Sequence, residues 1–129
     1  MENVAADMYS AKIRETSKEL NKIEKIKMKD TTNAIKIDDV TNDGDMVISP
    51  DFYCILDIHN PKAKERPDYS NLIILDTNGT KFITGSPTFM NNFLEIWNEM
   101  DGETGWEIVC YKRDSKNYKG KKFVTCSIV

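Results

Sequence analysis

Apolar and polar residues alternate most clearly between residues 51 and 59, where the chain reads DFYCILDIH. Phe52, Cys54 and Leu56 fall on one side of this alternation, and Tyr53 falls on the other. Because successive side chains of a β-strand point to opposite faces, the segment is predicted to be a strand with one well-buried face. Similar patterns predict four more strands, at residues 71–76, 80–85, 106–112 and 122–129.

The chain between the third and fourth of these strands has a different period. In PTFMNNFLEIWNEM, residues 87–100, apolar residues recur at close to helical spacing and predict an amphipathic helix. Ser86 and Pro87 favour a helix start, because serine can cap free amides and proline has no amide to lose there. The predicted order is therefore three strands, one helix and two strands.

That order predicts a fold that is mainly β with one central helix. Five short strands with a helix between strands 3 and 4 are typical of the OB-fold, a five-stranded Greek-key barrel. Residues 24–129 are assigned to this OB-like domain, with the helix closing the bottom of the barrel. An alternative with the same order is a small α+β domain whose helix covers one face of an open meander.

The N-terminal part of the chain carries a weaker pattern. Residues 1–29 are rich in lysine and glutamate, and their apolar residues form only a narrow helical stripe. Residues 1–23 are therefore predicted to be a flexible or helical extension. A short helix is predicted within residues 30–40, where helix-start residues precede Ile35 and Ile37.

Composition places the chain among soluble globular proteins, with 40% hydrophobic and 30% charged residues. No apolar run approaches the ~20 residues of a membrane span, and the N-terminus has no secretory-signal pattern, so no membrane contact is expected. The three cysteines are an odd number in strand-like contexts. They indicate a reducing, cytoplasmic compartment.

The net charge of −3 does not indicate a nucleic-acid binder, so any such activity must come from a local patch. Residues 112–122, KRDSKNYKGKK, form that patch with six basic residues against one acid. Lysines neutralise phosphates, and Tyr118 offers a flat surface for a base. Gly120 lets the backbone turn closely, while Ser115 and Asn117 can donate to phosphate oxygens. The alternative is an ordinary charged hairpin loop that discourages edge pairing.

The stretches TGSPTFMNNFLEIWNEMDGE and SKNYKGKKFVTCSIV resemble a family of small proteins from bacteriophages and prophages of Gram-positive bacteria. These proteins are regarded as single-stranded DNA-binding proteins of the OB type. EKIKMKDTTNAIKIDD and LDIHNPKAKERPDYSN are also similar to that family, so the resemblance covers roughly residues 24–129. It implies non-catalytic binding of single-stranded DNA during phage DNA replication or recombination, with residues 115–121 as the matching motif. The flexible acidic tail of well-known bacterial single-strand binders has no counterpart, which puts that mode of partner recruitment in doubt.

The residues predicted to contact single-stranded DNA lie in two groups. The loop group consists of Lys112, Arg113, Ser115, Lys116, Asn117, Tyr118, Lys119, Gly120, Lys121 and Lys122. The second group consists of Tyr53, His59, Tyr69, Phe82 and Tyr111. Tyr53 and Tyr111 are expected to point outward, because they alternate with the most apolar residues of their strands. Replication or recombination proteins of phage or host are further expected partners, and self-association is left open.

Two other classes of function compete with DNA binding. The chain could be a phage-encoded interaction module that sequesters a host protein through the basic loop or the acidic end of the helix. An enzyme has little support, because no catalytic motif accompanies Glu95 and Glu99 on their helix face. His59 and the three cysteines could supply four zinc ligands by count. No C-x₂-C spacing is present, however, so no metal or cofactor is expected.

Overall fold

A computed structural model describes residues 8–63 and 65–129 of the chain. In chain order the elements are β1 Ser10–Thr16, α1 Lys22–Lys29, β2 Ile35–Lys36, α2 Ile37–Val40, β3 Met46–Ile48, β4 Pro50–His59, β5 Asp68–Asp76, β6 Lys81–Thr84, α3 Pro87–Glu99, β7 Ile108–Asp114 and β8 Lys122–Ile128. The mainly β class is therefore confirmed. No helix in these ranges has both the length and the apolar character needed to cross a lipid bilayer.

The strands form two sheets of different size. The larger sheet has five strands in the order β1-β4-β5-β6-β2, and the smaller has three in the order β3-β7-β8. Neighbours in both sheets are antiparallel, apart from the short parallel pair of β2 and β6. The β5–β6 hairpin turns at Gly79, whose φ of +92° requires a residue without a side chain.

The five-stranded sheet is packed on both faces, and β4 shows this most directly. Tyr53 and Ile55 contribute to one core cluster, which also includes residues of α3 and of the three-stranded sheet. Cys54 and Leu56, on the opposite face, belong to a second cluster that contains Leu20 and residues of α1 and β5. The prediction of a single well-buried face on this strand is therefore wrong, because the N-terminal part of the chain covers the other one.

Helix α3 begins where the capping residues predict it. The Ser86 hydroxyl accepts the Phe89 amide at 3.2 Å, and proline occupies the first turn. Phe89 and Phe93 are fully buried in the first cluster, and the Asn92 amide donates to the Thr125 hydroxyl of β8. The helix therefore fixes the edge of the three-stranded sheet to the larger one.

A single residue, Ser49, connects β3 of the small sheet to β4 of the large one. Its amide donates to the carboxylate of buried Asp76 at 2.9 Å, and its carbonyl accepts the Thr77 amide at 2.9 Å. Its hydroxyl donates to Glu107, just before β7, at 2.8 Å. This junction therefore bonds to both sheets at once.

The prediction of a five-stranded closed barrel is wrong. All five predicted strands exist, as β4 to β8, but the described residues form eight strands and three helices, and no ladder joins the two sheets. The long helix therefore lies between the sixth and seventh strands, and it packs beside β8 rather than closing a barrel. Strand order alone does not predict a closed barrel, because closure needs a ladder between the first and last strands. In this fold those strands pair with other strands instead.

Part of the segment predicted as a flexible or helical extension, residues 1–23, is a strand. β1 pairs along β4, from Ser10 opposite His59 to Thr16 opposite Cys54, so this segment is an edge strand of the main sheet. Leu20 is buried in the second cluster, and α1 begins at Lys22 with a capping box between Asn21 and Glu24. The part of the predicted extension that covers residues 1–7 lies outside the described residues. Of the short helix predicted within residues 30–40, only Ile37–Val40 is helical, as α2, whereas Ile35–Lys36 form β2.

Candidate nucleic-acid interface

The three-stranded sheet is fully packed on one face and partly covered on the other, where Thr125, paired with Tyr111, is buried and bonded to Asn92 of α3. Ile108 and Cys110 of β7 are fully buried against the first cluster. Because side chains alternate along a strand, Tyr111 and Arg113 point to the other face, where Arg113 lies opposite Phe123. On this outer face Tyr111 and Phe123 are half-buried, Arg113 is exposed and Val47 of β3 is 51% exposed. The outer face therefore presents two aromatic rings and a guanidinium to solvent.

The loop that joins β7 to β8 extends this outer face and has a defined backbone. The Ser115 amide donates to the Lys121 carbonyl at 2.9 Å, and the Lys121 amide donates to the Tyr118 carbonyl at 3.0 Å. The Ser115 hydroxyl accepts the Tyr118 amide at 3.2 Å. Gly120 has a φ of +81°, which explains the glycine at this turn. The loop is therefore an ordered tip, with residues 116–122 exposed to solvent.

The cationic groups of the loop have no anionic partner within the described ranges. The ion pairs found there involve Arg14, Lys18 and His59, and none involves residues 112–122. The Lys112 ammonium donates to the neutral Asn42 side chain at 3.0 Å. The remaining cationic groups of the loop therefore keep their full attraction for an external anion.

Tyr118 is the one predicted aromatic that projects freely, with 66% of its surface exposed. Two others are buried and not available to a ligand. Tyr53 is 5% exposed, meets Trp97 edge-on at 5.2 Å between ring centres and donates its hydroxyl to Glu15 at 2.6 Å. Burial raises the pKa of Tyr53, and the nearby Glu15 carboxylate raises it further. Phe82, at 7%, belongs to the same cluster.

The expected outward orientation of Tyr53 is therefore wrong, because both faces of β4 are covered. The expectation for Tyr111 is correct, since it shares the outer face of the small sheet with Arg113. Its hydroxyl lies 2.7 Å from the Ser127 hydroxyl, which holds the ring along the strand pair. The two tyrosines have similar sequence patterns, and only the packing of their sheets distinguishes them.

His59 and Tyr69 lie at the β4–β5 hairpin of the larger sheet, whereas the basic loop joins two strands of the smaller sheet. His59 Nδ1 is 2.7 Å from an Asp68 carboxylate oxygen, and Tyr69 packs partly against the second cluster. An open cavity of about 450 Å³ lies beside them. The nearby Ser70 hydroxyl donates to Asp57 rather than to the histidine. At this hairpin Asp57 already pairs with Arg14, and Asp68 lies against His59, so these two basic groups, unlike those of the β7–β8 loop, have a carboxylate partner among the described residues.

The structure thus brings together one group of predicted residues and disperses the other. Residues 112, 113 and 115–122 form the β7–β8 tip and its base, and Tyr111 adjoins them on the outer face. Sequence reasoning missed Phe123 and Val47, which share that face. The alternation in KFVTCSIV, which sets Phe123 opposite the buried Val124 and Cys126, could have identified the phenylalanine.

The cysteines are enclosed in the two cores. Burial raises the pKa of Cys54 to about 11 and that of Cys126 to about 12, so both thiols stay protonated at neutral pH. Cys110 faces Cys126 across the β7–β8 ladder, and burial raises its pKa as well. Over residues 8–63 and 65–129, no group of three or more histidine, cysteine or acidic side chains is arranged to hold a metal ion.

Comparisons of the chain with protein-family models, with curated proteins and with solved structures find no match. The resemblance to phage single-strand binders therefore stays a prediction. The function must be inferred from the exposures, charges and contacts of the residues described above.

Proposed function

We propose that the protein binds single-stranded DNA, without catalysis and with little preference for sequence. The binding surface is formed by the β7–β8 loop and the outer face of the three-stranded sheet. The observation that carries this proposal is the ordered loop tip on which exposed lysines without carboxylate partners surround an exposed tyrosine.

The charge distribution supports a polyanionic ligand. A protein of net charge −3 concentrates six basic residues against one acid between residues 112 and 122. Each lysine that meets a phosphate releases condensed counterions, so the free energy of binding depends on salt. Because the ion pairs of the described residues lie elsewhere, these cations lose no internal carboxylate partner on binding.

The aromatic side chains support a single strand over a duplex. In a duplex the faces of the bases are stacked on each other and unavailable to a side chain, whereas an unpaired strand exposes them. Tyr118 can receive one base, and Tyr111 and Phe123 on the outer face lie where further bases would continue along the sheet. Stacking accepts every base, which accounts for the low sequence preference.

The resemblance to phage proteins extends the proposal to a biological role. Coating of single-stranded DNA during phage replication or recombination would require no reaction at the site. It would place the protein in the cytoplasm of a bacterial host. This role rests on the resemblance alone and is separate from the physical case for binding.

Fluorescence anisotropy with a labelled thymidine oligomer tests the proposal, with matched RNA and duplex as competitors. Micromolar or tighter binding is expected at low salt, with duplex weaker than single strand. The logarithm of the association constant should fall by about 0.7 per phosphate neutralised as the logarithm of salt concentration rises. No binding at low salt would overturn the proposal and favour the interaction module that recognises an acidic protein surface.

A triple variant locates the surface. Lys116→Glu, Tyr118→Ala and Lys119→Glu together should abolish most binding, since they remove two cations, add two anions and delete the exposed ring. The matched control carries Tyr9→Ala, Lys12→Glu and Lys36→Glu, which change three exposed residues of the same types outside the loop. Equal losses in the two variants would show that total charge, and not this loop, determines binding.

A further inference from the structure

Helix α1 presents two of its three apolar residues to solvent on the side that faces away from the core. Ile23 and Ile26 are 64% and 68% exposed, whereas Met28, on the opposite side of the helix, is buried in the second cluster. Residues three apart lie on one helix face, so the two isoleucines form a continuous apolar stripe. Isolated exposed isoleucines need no explanation, whereas this adjacent pair forms a small apolar patch.

Lysines flank this stripe. At 100° per residue, Lys22 and Lys27 fall on either side of the isoleucine pair, and both are exposed. The eight residues of α1 include four lysines and one glutamate, and the Lys18 ammonium is 3.3 Å from that Glu24 carboxylate. The exposed face of α1 is therefore apolar and positively charged.

A surface of the opposite charge lies at α3 and the end of β8. There an apolar pocket of about 320 Å³ is lined by Glu95, Ile96, Glu99, Met100 and Ile128. Glu95 and Glu99 are exposed on successive turns, and neither carboxylate has an ion-pair partner in the described parts of the chain. Ile128 is 46% exposed at its rim. The pocket has a volume of roughly ten waters, enough to admit aliphatic side chains.

We propose that these two surfaces bind each other between copies of the chain: the Ile23/Ile26 face of α1 docks into the Glu95/Glu99 pocket of the next copy. The isoleucines fill the pocket, and Lys22 and Lys27 meet the two glutamates at its rim. The match of apolar centre and opposite charge identifies a second copy as the occupant, since one chain carries both halves of the contact.

The positions of the two surfaces determine the form of the assembly. α1 packs on the face of the five-stranded sheet that holds the second cluster, while α3 packs on the face that holds the first. A copy that offers α1 to its neighbour therefore keeps its own pocket free for a third copy. Such a heterologous contact generates a chain or ring rather than a two-fold dimer. One short helix buries little area, so each contact should be weak and should become strong only through repetition.

Sedimentation equilibrium of the full chain without DNA tests the inference, from about 10 μM to about 500 μM protein. The weight-average mass should rise above twice the monomer mass of 14.8 kDa, and less so at about 0.5 M salt than at about 0.05 M. A monomer throughout would assign the two surfaces to other partners and overturn the proposal. A mass that stops at the dimer would overturn it as well.

Charge reversal distinguishes this contact from any other self-association. The variant Lys22→Glu/Lys27→Glu and the variant Glu95→Lys/Glu99→Lys should each remain monomeric when alone. An equimolar mixture should associate again, because each then offers a complementary partner to the other. Self-association of either variant at the strength of the parent would refute the assignment.

Association and DNA binding are separable in these experiments. Lys116→Glu/Lys119→Glu, which changes net charge by the same amount as the helix variant, should leave self-association within about twofold of the parent. Loss of association in this control would attribute the effect to net charge and overturn the specific contact. Since no DNA is present, failure of the proposed DNA binding would leave the result unaffected.

Discussion

The two sheets of this protein differ in how many of their faces are packed. The five-stranded sheet has a core cluster on each side, so its central strand is enclosed. The three-stranded sheet has one packed face and one partly open face, which α3 covers at Thr125 and which ends in the cationic loop. An aromatic residue therefore serves the core in the first sheet and is available to a ligand in the second. The residue type alone therefore does not determine whether an aromatic side chain packs in the core or is available to a ligand.

The largest expected difference between the sheets is in the free energy of unfolding. Ile73 is fully buried in the second cluster, so Ile73→Ala should lower stability by about 2–5 kcal/mol. Val47→Ala on the open face should change it by less than about 0.5 kcal/mol, since that side chain is half exposed. Urea unfolding of both variants measures the contrast. Similar losses would mean that the open face is covered in solution.

Thiol reactivity tests the same comparison, because Cys110 and Cys126 lie in the first core cluster and Cys54 lies in the second. The raised pKa leaves about one hundredth of an ordinary cysteine's thiolate at Cys54 and about one thousandth at Cys126 near pH 8, and burial also blocks access. Cys54, Cys110 and Cys126 should therefore react with an aromatic disulfide reagent only after addition of denaturant. Fast labelling of Cys110 or Cys126 in the native protein would show that the inner face of the small sheet opens.

Paired tyrosine substitutions separate stability from binding. Tyr118→Ala should weaken oligonucleotide binding by about 1–3 kcal/mol, or roughly 5- to 150-fold, without changing the unfolding midpoint. Tyr53→Phe should leave binding unchanged and lower stability by about 1 kcal/mol, because it removes the hydrogen bond to Glu15. Anisotropy and urea unfolding on the same samples give both quantities. An affinity loss in Tyr53→Phe alone would reverse the roles assigned to the two sheets.

The smallest expected effect is a loss of local stability in acid around α1, which packs on one face of the larger sheet. A hydrogen bond from the backbone amide of Asn21 lowers the pKa of Glu24 below 4.5, and hydrogen bonds from Thr32 lower the pKa of Asp30 below 3.8. A carboxylate whose pKa is lower in the folded than in the unfolded state stabilises the fold. This stabilisation is complete above the unfolded-state pKa and is lost as the pH falls through the folded-state pKa. Hydrogen-exchange protection in α1 should therefore decline below about pH 4.5, ahead of that in β7 and β8. Glu24→Gln should make this decline shallower.

The elements with strong periodicity were predictable from the sequence. The alternation around Tyr53 and the helical spacing of Phe89 and Phe93 identify β4 and α3, and Ser86 fixes the start of the helix. The barrel was not predictable in the same way, because sheet closure depends on which distant strands pair. The weak pattern of residues 10–16 concealed the edge strand that pairs with β4.

The candidate site was predictable in its composition and not in its arrangement. A loop with so many lysines must be exposed, and Tyr118 shares that exposure because it lies among them. The absence of carboxylate partners in the described residues depends on where the chain places its acids, which no local pattern reveals. The burial of Phe82 likewise depends on the packing of the second sheet and α3 over its strand.

The single-residue junction at Ser49 has a consequence for the energetics of ligand capture. The amide, carbonyl and hydroxyl of Ser49 are all hydrogen-bonded, and these bonds restrict the motion of one sheet relative to the other. A nucleic acid that lands on the open face would meet a preorganised platform, and the entropy lost on ordering would fall on the strand and the lysine side chains. Loosening the anchor, as in Asp76→Ala, should therefore raise the dissociation rate of a ligand that Asp76 never touches.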